Sequence, residues 1–190
     1  NKGITIAGKG LREHLEAINH KEAIDFIKDI AQKKEPISER VLLDIHAIVL
    51  HSIDKDNAGK YRRVPVIISG SKHIPPQPYL LQPKMDELFQ WYEANKDSIH
   101  PVVLAAQMHE KLVSVHPFID GNGRTARLLM NLILMQHGYP IANIKGDNET
   151  RRRYYETLEE ASSGDNSAFL EFIEGVVIQS LTYYLKIIRG

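Results

Sequence analysis

The sequence predicts an α-helical domain packed around one buried central helix and interrupted by a single short β-hairpin. Three observations carry that expectation. Apolar residues recur at three- and four-residue spacing through most of the chain. Residues 124–136 include Leu128, Leu129, Met130, Leu132, Ile133, Leu134 and Met135, apolar around nearly the whole circumference a helix would present, which marks a helix covered on all sides. One segment, Tyr61 to Pro78, breaks the spacing: Val64-Pro65-Val66-Ile67-Ile68 meets Ser69-Gly70-Ser71 and closes on Pro75-Pro76, the pattern of a hairpin followed by extended chain.

Leu11, Leu15, Ile18, Ile27 and Ile30 form one stripe of a helix over 11–32, with Glu13, Lys21, Lys28 and Asp29 on its wet side. Pro36 closes the link, and Ser38 is placed to cap a second helix carrying Val41, Leu42, Ile45, Ile48 and Val49. Gly59 marks the exit from its loop. Pro83 and Pro101 each stand where a helix begins, followed by Met85, Leu88, Trp91 and Tyr92, then by Leu104, Ala105, Met108 and Leu112. The buried helix over 124–136 is stopped by Gly138 and Pro140. Helices over 149–162 and 166–188, separated by a Ser162-to-Asn166 turn, complete the chain. Asn131, inside the buried helix, needs hydrogen-bond partners and is read as a polar tie, and Tyr183-Tyr184 as packing residues.

A chain of 190 residues with 43% hydrophobic content suits one domain with one core. Its 24 basic and 24 acidic side chains cancel, so no overall field points to nucleic acid or an anionic membrane as partner, and anion binding has to be local. With no cysteine there is no disulfide, thiolate metal site or cysteine nucleophile, which suits a reducing, cytoplasmic location. No segment approaches the roughly 20 apolar residues that span a bilayer.

The chemistry concentrates in His116-Pro117-Phe118-Ile119-Asp120-Gly121-Asn122-Gly123-Arg124-Thr125-Ala126-Arg127. Gly121, Asn122 and Gly123 tolerate positive φ and let successive N–H groups converge into an anion nest. The next helix adds its positive end. Arg124 and Arg127 share a face there, although arginine in a first turn runs against the dipole; a bound phosphate accounts for that. Asp120 offers the hard oxygen by which magnesium is held, with phosphates and water completing its shell. His116, with an ordinary pKa near ~6.5, is the candidate general base. His46, His51 and His109 lack the spacing of a metal site and are read as structural.

The same twelve residues match, at every specified position, the motif HPFx(D/E)GNGRxxR, and on it the chain resembles the Fic family. The resemblance extends to GKYRRVPVIISGSKHIPPQP, similar to the family's flap, to IHPVVLAAQMHEKLVSVHPF, similar to the helix before the motif, and to RRRYYETLEEA, similar to its nucleotide-side helix, covering roughly residues 40–175.

The resemblance implies the all-α Fic fold, a compact helical bundle with a short β-hairpin flap over the active site. The division it implies is one Fic-type domain over 1–190: an N-terminal helical extension (1–36), a core (37–175) with its flap at about 62–78, and a C-terminal helix (166–190). The activity implied is transfer of AMP from ATP, with Mg2+, to a Ser, Thr or Tyr hydroxyl of a target protein. Carried over by position, His116 deprotonates that hydroxyl and Asp120 binds the metal. Gly121, Asn122 and Gly123 form the anion hole, Arg124 holds the β-phosphate, Arg127 orients the γ-phosphate, and Thr125 completes the nucleotide-binding set. Tyr154 and Tyr155 fall where relatives contact adenosine. Ile68, Ser69, Gly70, Ser71 and Lys72 would clamp the target by backbone pairing. Target protein and ATP are the partners implied, with a homodimer open and neither nucleic acid nor membrane expected.

Two departures stand out. The inhibitory pattern (S/T)xxxE(G/N) of many Fic enzymes is absent: the only Glu-Gly is Glu174-Gly175, with Leu170 where serine or threonine is needed. The opening GITIAGKGLREHLEAINHKEAID is similar to the stretch just C-terminal to that helix in relatives that carry it N-terminally, so the expectation is an inhibitory helix upstream of Asn1. Ser162 stands where some relatives have asparagine near the nucleotide. Rival activities on the same fold are removal of AMP and transfer of phosphate or phosphocholine; a rival of another class is an idle nucleotide-binding module.

Overall fold

Residues 10–189 are described by a computed structural model, in which seven α-helices and one 3-10 turn form. They are α1 (Leu11–Lys33), α2 (Glu39–Leu50), α3 (Leu81–Asn95), α4 (Pro101–Val115), α5 (Asn122–Gln136), α6 (Asn148–Ser162) and α7 (Ser167–Arg189), with the 3-10 turn at Pro78–Leu80 leading into α3. The N-terminal extension before Gly10, including the start of the GITIAGKG stretch, lies outside the described residues, as does Gly190.

Local chemistry sets the ends. Ser38 caps α2 by accepting from the Val41 N–H, Asp147 caps α6 through the Thr150 N–H, and Pro101 opens α4, where a missing N–H costs nothing. Helix α5 packs against α4, α1 and α2, and its apolar run is buried from Leu128 to Leu134. Each such Leu or Ile contributes about 1.5–3 kcal/mol of burial free energy, which fixes the helix whose N-terminus builds the site. Asn131 is satisfied: its amide donates to the carbonyls of Arg127 and Ala142 and accepts from the Ala142 N–H, tying the 139–147 loop to α5. Tyr183 and Tyr184 correct their reading as packing residues. They are exposed, because the core contacts of α7 run through Phe169, Phe172, Ile173 and Val177 and end at the part-buried Leu181.

The hairpin also needs correcting. Residues 61–77 form an irregular excursion; the turn is present, with Ser71 N–H donating to the Ile68 carbonyl and Gly70 at φ +81°, but among the described residues no strand flanks it. Pro65, Pro75 and Pro76 have no N–H for a ladder, and the carbonyls of Val64 and Pro76 are taken by the Arg62 guanidinium instead. A side chain, not strand pairing, closes the flap's base.

Candidate active site

Helix α4 ends by placing His116 in the left-handed region at φ +48°, a strained conformation for a side-chain-bearing residue, with its N–H still bonded to the Leu112 carbonyl. The chain reverses there, and Phe118, fully buried, nails the loop into the core. Asn122 staples the loop from the other side. Its side chain accepts from the Phe118 N–H and donates to the Phe118 carbonyl, both at 2.9 Å, so this amide is committed to the loop and offers a ligand only its backbone N–H.

Gly121 caps α5 at φ +82°, where a Cβ would sit 3.4 Å from the His46 ring and the Val49 side chain. By the construction of a helix, the N–H groups of Asn122, Gly123 and Arg124 have no intrahelical acceptor, and the first turn carries no acid to neutralise them. The loop before them is braced by His46. Gly59 N–H donates to its Nδ1 at 3.0 Å, so Nε2 carries the proton and donates to the Asp120 carbonyl, also at 3.0 Å. The ring stacks on Phe118 at 3.6 Å, and burial, partly opposed by the Asp120 carbonyl, lowers its pKa to about 4.

Into one cleft of about 260 Å3 come His116, Ile119, Asp120, Gly121, Asn122, Gly123, Arg124, Arg127 and Tyr155. The Val113 carbonyl, which can only accept, lies 3.3 Å from His116 Nδ1, so Nδ1 carries the proton and Nε2 is left as the basic atom. Burial lowers the His116 pKa below its ordinary value; the Val113 contact opposes this, and Arg62 and His73 reinforce it. Partial burial raises the Asp120 carboxyl, but Arg124, the Gly121 N–H and Arg12 outweigh it and keep the group ionised at neutral pH.

Two of the nucleotide-binding residues expected from the sequence are not brought to the cleft. Thr125 faces inward and is wholly buried, because three residues past the buried Asn122 it falls on the same core-facing side of the helix. Tyr154 is buried too, its hydroxyl 3.1 Å from His109 Nε2 and 3.4 Å from Arg127 Nη1, so it touches the arginine from behind, whereas its neighbour Tyr155 is exposed on the cleft wall. The flap residues 68–72 are held at α6: Ser71 donates its hydroxyl to Glu159, which also accepts the Lys72 N–H at 2.8 Å. His73 Nε2 donates to the Ser114 carbonyl at 2.8 Å, fastening the far arm to the end of α4.

Sequence reading missed Arg12, Glu16, Arg62 and Glu159, while His46, read as structural, braces the loop. Arg12 and Glu16 sit on α1 and reach Asp120 and Arg124, contacts made across the fold and invisible in local spacing. Arg62 carried a signal, an arginine just before an apolar run that had no obvious acid to pair with. A larger groove of about 1060 Å3 runs from the same two arginines between α1, α5 and α7 over Ile24, Leu128 and Val176, but neither His116 nor Asp120 lines it; both line the smaller cleft.

The model of the Fic/DOC family matches residues 36–134. A protein adenylyltransferase Fic of Nematostella vectensis is 38% identical over 184 residues, 96% of this chain and 42% of its own length. Among solved structures, Fic-1 from C. elegans superposes with a TM-score of 0.86 at 34% identity, covering 98% of this chain and 55% of that one. A Fic domain containing signaling protein from Bacteroides thetaiotaomicron superposes with a TM-score of 0.80 at 30% identity, covering 94% of this chain and 74% of that one. The chain thus spans less than half the length of the curated relative it matches.

Proposed function

The chain belongs to the Fic/DOC family, and on that premise we propose that it is a protein adenylyltransferase, moving AMP from magnesium-ATP to a Ser, Thr or Tyr hydroxyl of a target protein. The observation that carries the reading is the cleft in which His116, with Nε2 unprotonated, stands beside the N-terminus of α5, Asp120 and two arginines. Such a site aligns a nucleophile and stabilises phosphate charge, the two requirements of phosphoryl-type transfer.

In the proposed step the target hydroxyl oxygen bonds to the α-phosphorus, the bond from that phosphorus to the oxygen bridging the β-phosphate breaks, and pyrophosphate leaves. The hydroxyl proton passes to His116 Nε2. The N–H groups of Asn122 and Gly123 and the positive end of α5 receive phosphate oxygens, Arg124 the β- and Arg127 the γ-phosphate, and Tyr155 flanks the adenosine. Residues 68–72 pair with the target segment, and the exposed Ile67 and Ile74 beside them give it apolar contact.

Asp120 fits magnesium. It is a single ionised hard-oxygen ligand whose Oδ2 already accepts a cationic guanidinium, and among the described residues no cluster of three ligating side chains competes with the one-carboxylate arrangement magnesium uses with phosphates. When bound, the metal would neutralise phosphate charge and hold the leaving pyrophosphate. No helix of the described residues is long and apolar enough to cross a membrane, and a cytoplasmic place of action is part of the proposal.

Incubation with magnesium-ATP followed by mass spectrometry tests it. Addition of one AMP unit to a serine, threonine or tyrosine is the expected result; a phosphate adduct, or none with added candidate targets, rejects the reading.

A further inference from the structure

Arg62 is 3% exposed, yet no carboxylate pairs with it among the described residues. Its guanidinium bonds three backbone carbonyls instead: Nε to His116 at 2.9 Å, Nη1 to Val64 at 3.0 Å and Nη2 to Pro76 at 2.6 Å. Its own backbone N–H donates to the Pro117 carbonyl at 2.9 Å. Both carbonyls of the His116-Pro117 step and one from each arm of the flap therefore meet on a single residue.

A buried cation without a counter-charge is costly, and a well-packed apolar side chain would fill such a place at less expense. Charge-assisted bonds in the plane of a rigid fork offset the cost and impose one geometry on all three acceptors. Those acceptors belong to two parts that have to keep register if a hydroxyl held by the flap is to meet a base on α4. The flap has no strand ladder to supply that rigidity, and His116 sits in a backbone conformation that needs external support.

We propose that Arg62 is a positioning residue that joins the His116 backbone and both arms of the flap into one rigid unit, fixing the base relative to the target hydroxyl. This rests on the adenylyl-transfer reading for its consequence, though not for its geometry.

Arg62→Lys and Arg62→Ala, compared with the wild-type chain, test it. Misplacement of a base by about an ångström lowers a rate by roughly 100-fold. AMP transfer by Arg62→Ala is expected to fall by about that factor, with the ATP dissociation constant within about threefold of wild type and with partial restoration by added guanidinium ion. Arg62→Lys should keep the charge and the fold but not the fork, and should be equally slow without such rescue. Hydrogen exchange at the Ser71 and His116 amides should accelerate together in both variants, a readout that needs no catalysis and stands even if the wild type transfers no AMP. Wild-type transfer in Arg62→Ala, unchanged exchange at either amide in both variants, or loss of the fold in both would overturn the proposal, the last making Arg62 a core residue only.

Discussion

Arg12, at the start of α1, and Asp120, 108 residues later, are joined by a 2.7 Å contact between Nη2 and Oδ2. Glu16 completes a ring of alternating charge: its Oε1 lies 3.3 Å from Arg12 Nε and 3.4 Å from Arg124 Nη1, and Arg124 Nη2 lies 3.1 Å from Asp120 Oδ1. The N-terminal helix thereby reaches the carboxylate assigned to magnesium and the arginine assigned to the β-phosphate.

Arg12 and a divalent cation call on the same oxygen, so Arg12→Ala should bind metal more tightly. The pair is largely exposed, with 63% of the Arg12 side chain accessible, so its worth is about 0–1 kcal/mol. A tightening of up to roughly fivefold is expected in Mn2+ binding followed by electron paramagnetic resonance. Weaker binding would show instead that Arg12 organises the site.

Mild acid should destabilise the chain through its buried histidines. His46 and His109 have pKa values lowered to about 4 and about 3, mainly by burial, so between those values and the unfolded value near ~6.5 the unfolded state binds more protons. Stability therefore falls as pH falls, by roughly 1.4 kcal/mol per pH unit for each histidine across that window. Denaturant melts at pH 7, 6 and 5 measure the slope. A flat profile would mean that both rings are already charged in the folded state, and about half the slope that one of them is.

Tyr154→Phe removes the hydroxyl shared by His109 and Arg127, leaving the buried His109 Nε2 without its partner. A loss of about 1–3 kcal/mol in unfolding free energy is expected. Weakened binding of ATP relative to ADP should accompany it, since Arg127 would lose the contact behind it. Equal loss for both nucleotides would detach Tyr154 from the γ-phosphate.

Glu159→Ala releases Ser71 and the Lys72 N–H, the contacts by which α6 holds the flap. Faster hydrogen exchange at Lys72 and slower modification of an added target are expected, with the melting temperature near that of wild type because Glu159 is only part-buried and outside the core. Exchange at Lys72 that stays slow would place the restraint elsewhere.

Much of the fold was legible in the residues, and the exceptions have physical reasons. The α5 run from Leu128 to Leu134 announced its burial because a helix covered on all sides needs no polar face. Ser38 and Pro101 announced helix starts because capping is local chemistry. The flap misled, since β-branched residues around a Ser-Gly turn favour strands locally while Arg62, acting across the fold, takes the carbonyls a ladder would use. Tyr154 and Tyr155, about 100° apart on α6, could not be sorted until α7 and α4 closed over the first. Arg12 and Glu16 stand four residues apart on α1, and they become site residues only because α1 docks on α5, a contact that local spacing does not show.

The proposed chemistry turns on His116 Nε2, which removes a proton as AMP passes from ATP to a hydroxyl. Wild type and His116→Ala should be incubated with magnesium and ATP labelled at either the α- or the γ-phosphate, with nucleotide binding measured by calorimetry in parallel. Label from the α position alone should enter protein with the wild type, and none with His116→Ala, which should still bind magnesium-ATP. Label from the γ position, or undiminished α-label with His116→Ala, would contradict that role.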